Sequence, residues 1–322
     1  RNNMNILAFD IGGTKCAVSL GCSDGQGNVR VLYKCQKRLT EKRAPELVLP
    51  ELLEDVKYCI SQSEEAPAAI GISCGGPLDS RKGVVLCPPN LPGWVNIPLQ
   101  QMLSDKYGVP AFIQNDANAC AVAEWLFGAG RGTKNMVFFT FGTGLGAGLI
   151  LDGKLYAGTN DNAGEAGHIR LAKKGPVGFG GAGSFEGFCS GGGLAQLGYS
   201  MALEKAQMGI HPLYYQEGMC AKDITAKSIA EAARAGDETA LEVFQVCGTY
   251  LGRGLSIVID LLNPELIVIG SIFTRSRDLL WEATKNEIEK EALKPSSEVC
   301  KVVPAALGEN IGDYAAIATA LL

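Results

Sequence analysis

The sequence has no CxxC pair, only two histidines, no excess of basic charge and no unbroken apolar run of membrane-spanning length. Each absence excludes a class. Its eleven cysteines stand no closer than Cys16 and Cys22, so the paired spacing of a zinc finger or a thioredoxin-type motif is missing. The odd count suits a reducing compartment, with each thiol a small buried hydrophobe. His168 and His211 are too few for a histidine-rich metal site, and His211, in the loop-like IHPLYY, reads as structural. Lys and Arg total 29 against 34 Asp and Glu, a net charge of -5, so no nucleic acid is expected as main partner. The longest apolar stretch, Leu255 to Phe273, is broken by Asp260, Asn263, Pro264 and Glu265, so no membrane span is expected. The opening RNNMNILAFD lacks the apolar core of a signal peptide, and Met4 is a candidate start. A cytoplasmic protein is the expectation.

What is there is glycine: 41 residues in 322, nearly twice the usual ~7% share and without a collagen period. Hydrophobic residues at 47% and charged residues at 20% give a globular balance, and the length suits two domains. Residues 5–10 read as a buried strand, IGGTK as a glycine turn and CAVSLGC as a returning strand, with a third strand at VRVLYKC. A helix is expected over 44–63, strands at AAIGISC and PAFIQN, and helices at 99–106 and 117–127. NMVFFTFGTGLGAGLILDGKL then repeats the theme of strand, glycine turn and strand. Residues 187–262 read as mostly helical, with strong patterns at 226–233 and 238–262. The strand LIVIG, a helix over about 278–292, the strand VCKVVP and a helix over 313–322 close the chain. No linker separates independent modules, so two lobes sharing a cleft are expected.

The two glycine turns, Gly12-Gly13-Thr14 and Gly142-Thr143-Gly144, let backbone N–H groups approach a ligand, and as a pair they suit a polyphosphate. Either alone reads equally as an ordinary hairpin turn. A Walker-type GxxxxGK[ST] is absent; Gly142, Gly144 and Ala147 fit a degenerate GxGxxA but lead into a strand, where a dinucleotide fold needs a helix. Asp10 ends the first strand, where it can hold Mg²⁺ through water or simply cap the turn. Asp116, in QNDANA, can accept a proton from an attacking hydroxyl or N-cap the helix that follows. In GTNDNAGEAGH and GSFEG, Glu165, His168 and Glu186 form a polar set suited to the hydroxyls of one ligand.

Taken in order, FDIGGTK, ISCGGPLD, PPNLPGW, QNDANA, GTGLGAGLILDGKLYAG, GEAGH and NPELIVIG resemble the ROK family of sugar kinases and sugar-responsive repressors across nearly the whole chain. The resemblance implies an α/β, actin-like ATPase (ribonuclease H-like) duplicated fold of two lobes with a central cleft. It implies an N-terminal lobe over 1–116, joined by the C-terminal helix at about 311–322, and a C-terminal lobe over 117–310. It further implies ATP-dependent phosphorylation of a hexose or N-acetylhexosamine, with Mg²⁺, in a homodimer. By residue, it implies Asp116 as catalytic base and Gly76, Asn90, Asn115, Glu165, His168 and Glu186 at the sugar. Asp10, Gly12, Gly13, Thr14, Lys15, Thr143, Gly144 and Gly270 fall on the phosphate and nucleotide side.

Three positions depart from the family pattern. Where many members carry a zinc-binding CxCGxxGCxE segment, this chain reads GFGGAGSFE, so no zinc is expected; the loop is instead expected to be held by backbone bonds and by Phe179 and Phe185 packing inward. The usual paired glycines after the LIVIG strand are Gly270-Ser271, and Cys74-Gly75-Gly76-Pro77 lacks the proline many bacterial members have in its third position. Only nine residues precede Asp10, which disfavours the DNA-binding branch as an expectation. A non-catalytic sugar sensor is the alternative function.

Overall fold

The computed structural model describes residues 3–322. Strands β1 (Met4–Ile11), β2 (Lys15–Ser23) and β3 (Val29–Lys34) form an antiparallel meander, with the short β4 (Arg38–Leu39) pairing back on β2. Helix α1 (Pro45–Ser61) begins on a proline whose fixed φ suits a first turn, and it buries Val48, Leu52, Val56 and Cys59 along one stripe. Strand β5 (Ala69–Cys74) runs parallel to β1. The Gly- and Pro-rich stretch that follows holds a small hairpin, β6 (Leu78–Asp79) and β7 (Val84–Val85). Helix α2 (Leu99–Tyr107) leads to β8 (Ala111–Asn115), parallel to β5, and α3 (Asp116–Phe127) starts at once.

The second half opens with β9 (Met136–Phe141), β10 (Leu145–Leu151) and β11 (Lys154–Tyr156). A tight hairpin, β12 (Val177–Gly178) and β13 (Gly181–Ala182), precedes helices α4 (Phe185–Phe188), α5 (Gly191–Gln207), α6 (Ala226–Arg234) and α7 (Glu238–Leu262). Then come β14 (Leu266–Ile269), α8 (Ile272–Glu291), α9 (Lys294–Glu298), β15 (Lys301–Pro304) and α10 (Ile311–Thr319). The main sheets have orders β3-β2-β1-β5-β8 and β11-β10-β9-β14-β15. In both, the strand before the glycine turn has a later strand running parallel beside it, and a second parallel strand lies beyond that. The echo visible in two glycine turns therefore extends to the topology of two whole sheets.

The described residues up to Lys134, with Gly148–Ala163 and Ala306–Leu322, form one compact unit; Asn135–Ala147 and Gly164–Ala305 form the other. Alternation along β1 shows how the first is layered. Leu7, Phe9 and Ile11 join a core with α1 and α2 side chains such as Leu52, Val56 and Leu103, while Ile6 and Ala8 cluster with Ala316 and Ile317 of α10. Apolar cover on both faces explains why β1 reads as a continuous hydrophobic run. The last helix thus completes the first unit. Helix α3 also packs on α10, which keeps it in this unit, so the unit runs on to Lys134 where the resemblance implies a boundary after Asp116. Buried Glu124 of α3 fastens the returning chain by accepting the N–H groups of Ala129, Ala306 and Leu307 at 2.9–3.2 Å.

Two helical expectations change. Helix α8 begins at Ile272, six residues before Asp278, because a kink at Ser276 (φ -127°, ψ 26°) interrupts the sequence period without ending the helix. Between α5 and α6 the chain is mostly turns, with one 3-10 turn at Ala221–Asp223. Among the described residues no helix is long and apolar enough to cross a membrane.

Candidate functional site

In the first unit, sheet register assembles the polar residues. Ile11 pairs with Cys74, and Cys74 with Asn115, so the C-terminal ends of β1, β5 and β8 lie side by side. Ligands of open parallel α/β sheets bind off this edge. The register therefore gathers Asp10, the Gly12–Lys15 turn, Gly76 and the Asn115-Asp116 pair. The turn is closed by Gly12 N–H donating to Lys15 O at 2.9 Å, and buried Thr40 donates its hydroxyl to Gly12 O at 2.5 Å. Asn90 stands over the turn on a loop whose Trp94 is fully buried and donates its indole N–H to Arg43 O. Gly13 passes so close that a Cβ there would sit 2.6 Å from the Asn90 Cβ, so only glycine fits.

Asn115, not Asp116, caps α3: its Oδ1 accepts the Asn118 N–H at 2.9 Å. Asp116 is left at the first helical position, accepting the neighbouring Ala117 N–H through Oδ1 at 2.8 Å. Although Asp116 keeps access to solvent, the protein packed around it disfavours its charge and pushes its pKa up, against the pull of the backbone bonds. Half-buried Asp10 is raised to about 6, by desolvation first and then by the charges of Asp313 and Asp116; Lys34 and Lys37 act in the opposite direction. The start of α10 at Gly312 lies against the Asp10 carboxylate, and Lys34 pairs with Asp313 at 2.6 Å.

Three participants were not singled out by the sequence. Lys34 and Asp313 are 279 residues apart, and no local pattern joins them. Asp161, in a left-handed conformation (φ 65°), accepts from the Ser80 N–H and hydroxyl at 2.7 Å, and its carbonyl takes the Asn115 amide. Its one signal was its place in the polar GTNDNAG loop.

In the second unit, the Gly142–Gly144 turn is the counterpart of the first. Gly191 N–H, at the start of α5, donates to Gly142 O at 2.7 Å. Glu186 Oε1 accepts the Leu145 N–H at 2.9 Å and sits where a Gly144 side chain would project. Glu186 therefore abuts the turn directly. Glu165 precedes and His168 ends a 3-10 turn (Ala166–His168), with His168 N–H donating to Glu165 O; both residues are exposed. Gly270 is buried at the end of β14, its N–H donating to Phe139 O. Ser271 then takes φ 52°, ψ -114°, a conformation that favours glycine.

A cavity of about 700 Å³ opens beside this turn, at the N-termini of α5, α6 and α8. Thr143, Gly191, Lys222, Thr225, Lys227 and Arg275 line it, and it has no acidic lining residue. Helix N-termini and cations together favour an anion. The SGGG that opens α5 is a local signal of this cavity.

Phe185 is fully buried as expected, but Phe179 is not: it is 66% exposed. A two-residue turn between β12 and β13 sends its side chain outward, and its ring meets His168 edge-on, centroids 4.9 Å apart. No cysteine stands between His168 and Cys189, and Cys189 is buried against the Cys247 carbonyl, so this donor set does not fit zinc.

Two sheets of one topology, each with a glycine turn beside its first parallel strand, define the actin-like ATPase class of duplicated α/β fold. The ROK family profile matches residues 6–321, and the chain belongs to the ROK family. It is 30% identical to the glucokinase of Thermotoga maritima, over 96% of this chain and 95% of that one. The structure of a ROK family glucokinase from Streptomyces griseus, in complex with glucose and AMPPNP, superposes with a TM-score of 0.75 at 29% identity, covering 98% of this chain and 99% of that one. The xylose repressor of Bacillus subtilis is 28% identical over 85% of this chain and 67% of its own length.

Proposed function

We propose that the chain is an ATP-dependent sugar kinase that phosphorylates a hydroxyl of a hexose or N-acetylhexosamine. The observation that carries this reading is Asp116: relieved of helix capping by Asn115, it is a carboxylate with raised pKa at the strand ends, beside the glycine turn. A base with a raised pKa takes a hydroxyl proton more readily than an ordinary aspartate. Asp116 Oδ accepts the proton of the sugar hydroxyl as its oxygen bonds to the γ-phosphorus; the bond to the β–γ bridging oxygen breaks, and ADP leaves with that electron pair. Gly76, Asn90, Asn115, Glu165, His168 and Glu186 are the proposed sugar contacts. Gly12, Gly13, Thr14 and Lys15, with Thr143, Gly144 and Gly270, are proposed for the nucleotide, whose phosphates suit the cation-lined cavity at Lys222 and Arg275.

Mg²⁺ keeps several waters and is commonly held by one or two carboxylates plus substrate phosphates, a demand that Asp10 with nearby Asp313 fits. When bound, it would supply charge neutralisation on the phosphates. The protein's own part is to place Asp10 against the start of α10 and to fix the turn through Thr40.

The xylose repressor relationship favours a second reading, a sugar sensor without catalysis. Incubation with ATP, Mg²⁺ and a panel of glucose, mannose, fructose, N-acetylglucosamine and N-acetylmannosamine, read by ADP release, separates the two. Turnover of at least one sugar is expected. Sugar binding with no turnover would replace the kinase by the sensor.

A further inference from the structure

Phe179 occupies a position that a phenylalanine resists. The register Val177↔Ala182 and Gly178↔Gly181 leaves Phe179 and Gly180 as the two residues of the turn, with φ 46° and 79°. Such turns favour Asn, Asp or Gly at their first position, and a bulky side chain at positive φ is strained. The turn is nevertheless held firmly. Gln196 accepts the Val177 N–H and donates to the Val177 carbonyl, both at 2.8 Å, and Gly178 lies directly against the Glu186 backbone. The strained residue is therefore locked, and its ring stays exposed rather than turning into the core. Single exposed apolar residues are common, but this one leans on the His168 imidazole, and its hairpin packs on Glu186. Strain of this kind gathers at ligand-binding positions.

We propose that Phe179 is a specificity residue of the acceptor site: its ring forms the apolar wall against which the C–H face of a hexopyranose packs, while His168 and Glu186 bond the hydroxyls. This rests on the assignment of His168 and Glu186 to the sugar. A pyranose has polar hydroxyls at its rim and C–H groups on its face, so an aromatic wall beside polar residues matches both.

The test compares F179A, F179W and F179G in the full chain, with whichever sugar the wild type phosphorylates. F179A is expected to raise the KM for that sugar about tenfold while kcat and the KM for ATP stay within about twofold; F179W should keep the sugar KM near wild type. F179G removes the backbone strain, so it should show an unchanged or higher Tm together with the raised KM, an opposition that a purely structural role would not produce. An unchanged sugar KM in F179A, or a wild-type KM in F179G, would overturn the proposal. If the wild type binds sugar without turnover, the kinase reading fails, and calorimetric affinities of the same variants decide the Phe179 wall by the same criteria. If it binds no sugar, both fall.

Discussion

Asp116 and Asp10 both have raised pKa values, with different consequences. For Asp116 the consequence is kinetic: Asp116→Asn is nearly isosteric, and loss of the base is predicted to lower the rate ~10²- to 10⁴-fold while sugar affinity measured by calorimetry persists. Full activity in that variant would remove Asp116 from the mechanism. For Asp10 the consequence is also one of stability. Its pKa is raised from 3.8 to about 6, so the folded chain holds the neutral acid better than the unfolded chain does. That contribution is complete below about pH 3.8 and is lost as pH rises through 6, leaving a cost on the order of 3 kcal/mol at neutral pH. Asp10→Asn is therefore predicted to raise Tm more at pH 8 than at pH 5, and equal gains at both would show that the charge costs nothing. Asp10 and Asp116 were legible in sequence because each ends an apolar run beside a glycine or Asn/Ala cluster. What was not legible is which neighbour caps α3, since Asn115 and Asp116 are both good caps and only the backbone conformation separates them. Phe179 likewise read as core, because hydrophobicity says nothing about a turn that points its residue outward.

The longest helix followed its period closely. The 25 residues of α7 match the pattern read at 238–262 because Asp237 caps the start through the Ala240 N–H and Asn263 ends it in a left-handed turn. The short elements β4, β6, β7 and α9 have too few residues to show a period and went unread. Long-range fastening was equally invisible. Glu124 reads in sequence as an ordinary helical glutamate, yet it is fully buried and receives two N–H groups from residues about 180 positions later. Glu124→Ala should orphan three backbone donors and cost roughly 3 kcal/mol, measured as a lowered urea midpoint at constant slope. Glu124→Gln, which keeps one acceptor, should lose less; equal losses would show that packing, rather than the carboxylate, fastens the segment.

At the scale of the molecule, the first unit is discontinuous, drawing on three stretches of chain that end in α10. Backbone contact between Gly71 of β5 and Ala316, together with the Ile6–Ala8–Ile317 cluster, leaves one face of the first sheet bare without that helix. Truncation after Ala305 is predicted to give a chain whose second unit resists proteolysis while the first is digested; a protease-resistant first unit would show that α10 is dispensable. Synthesis adds residues at about 5–20 per second, so roughly 10–30 s separate Lys134 from the segment that covers the sheet. During that interval the strands that end at or next to Asp10 and Asp116 are made but uncovered, whereas the second unit already has every residue it needs once Ala305 has been added. The first unit thus closes only after the second has been synthesised, and one apolar face of its sheet stays uncovered in the nascent chain until the residues of α10 have emerged.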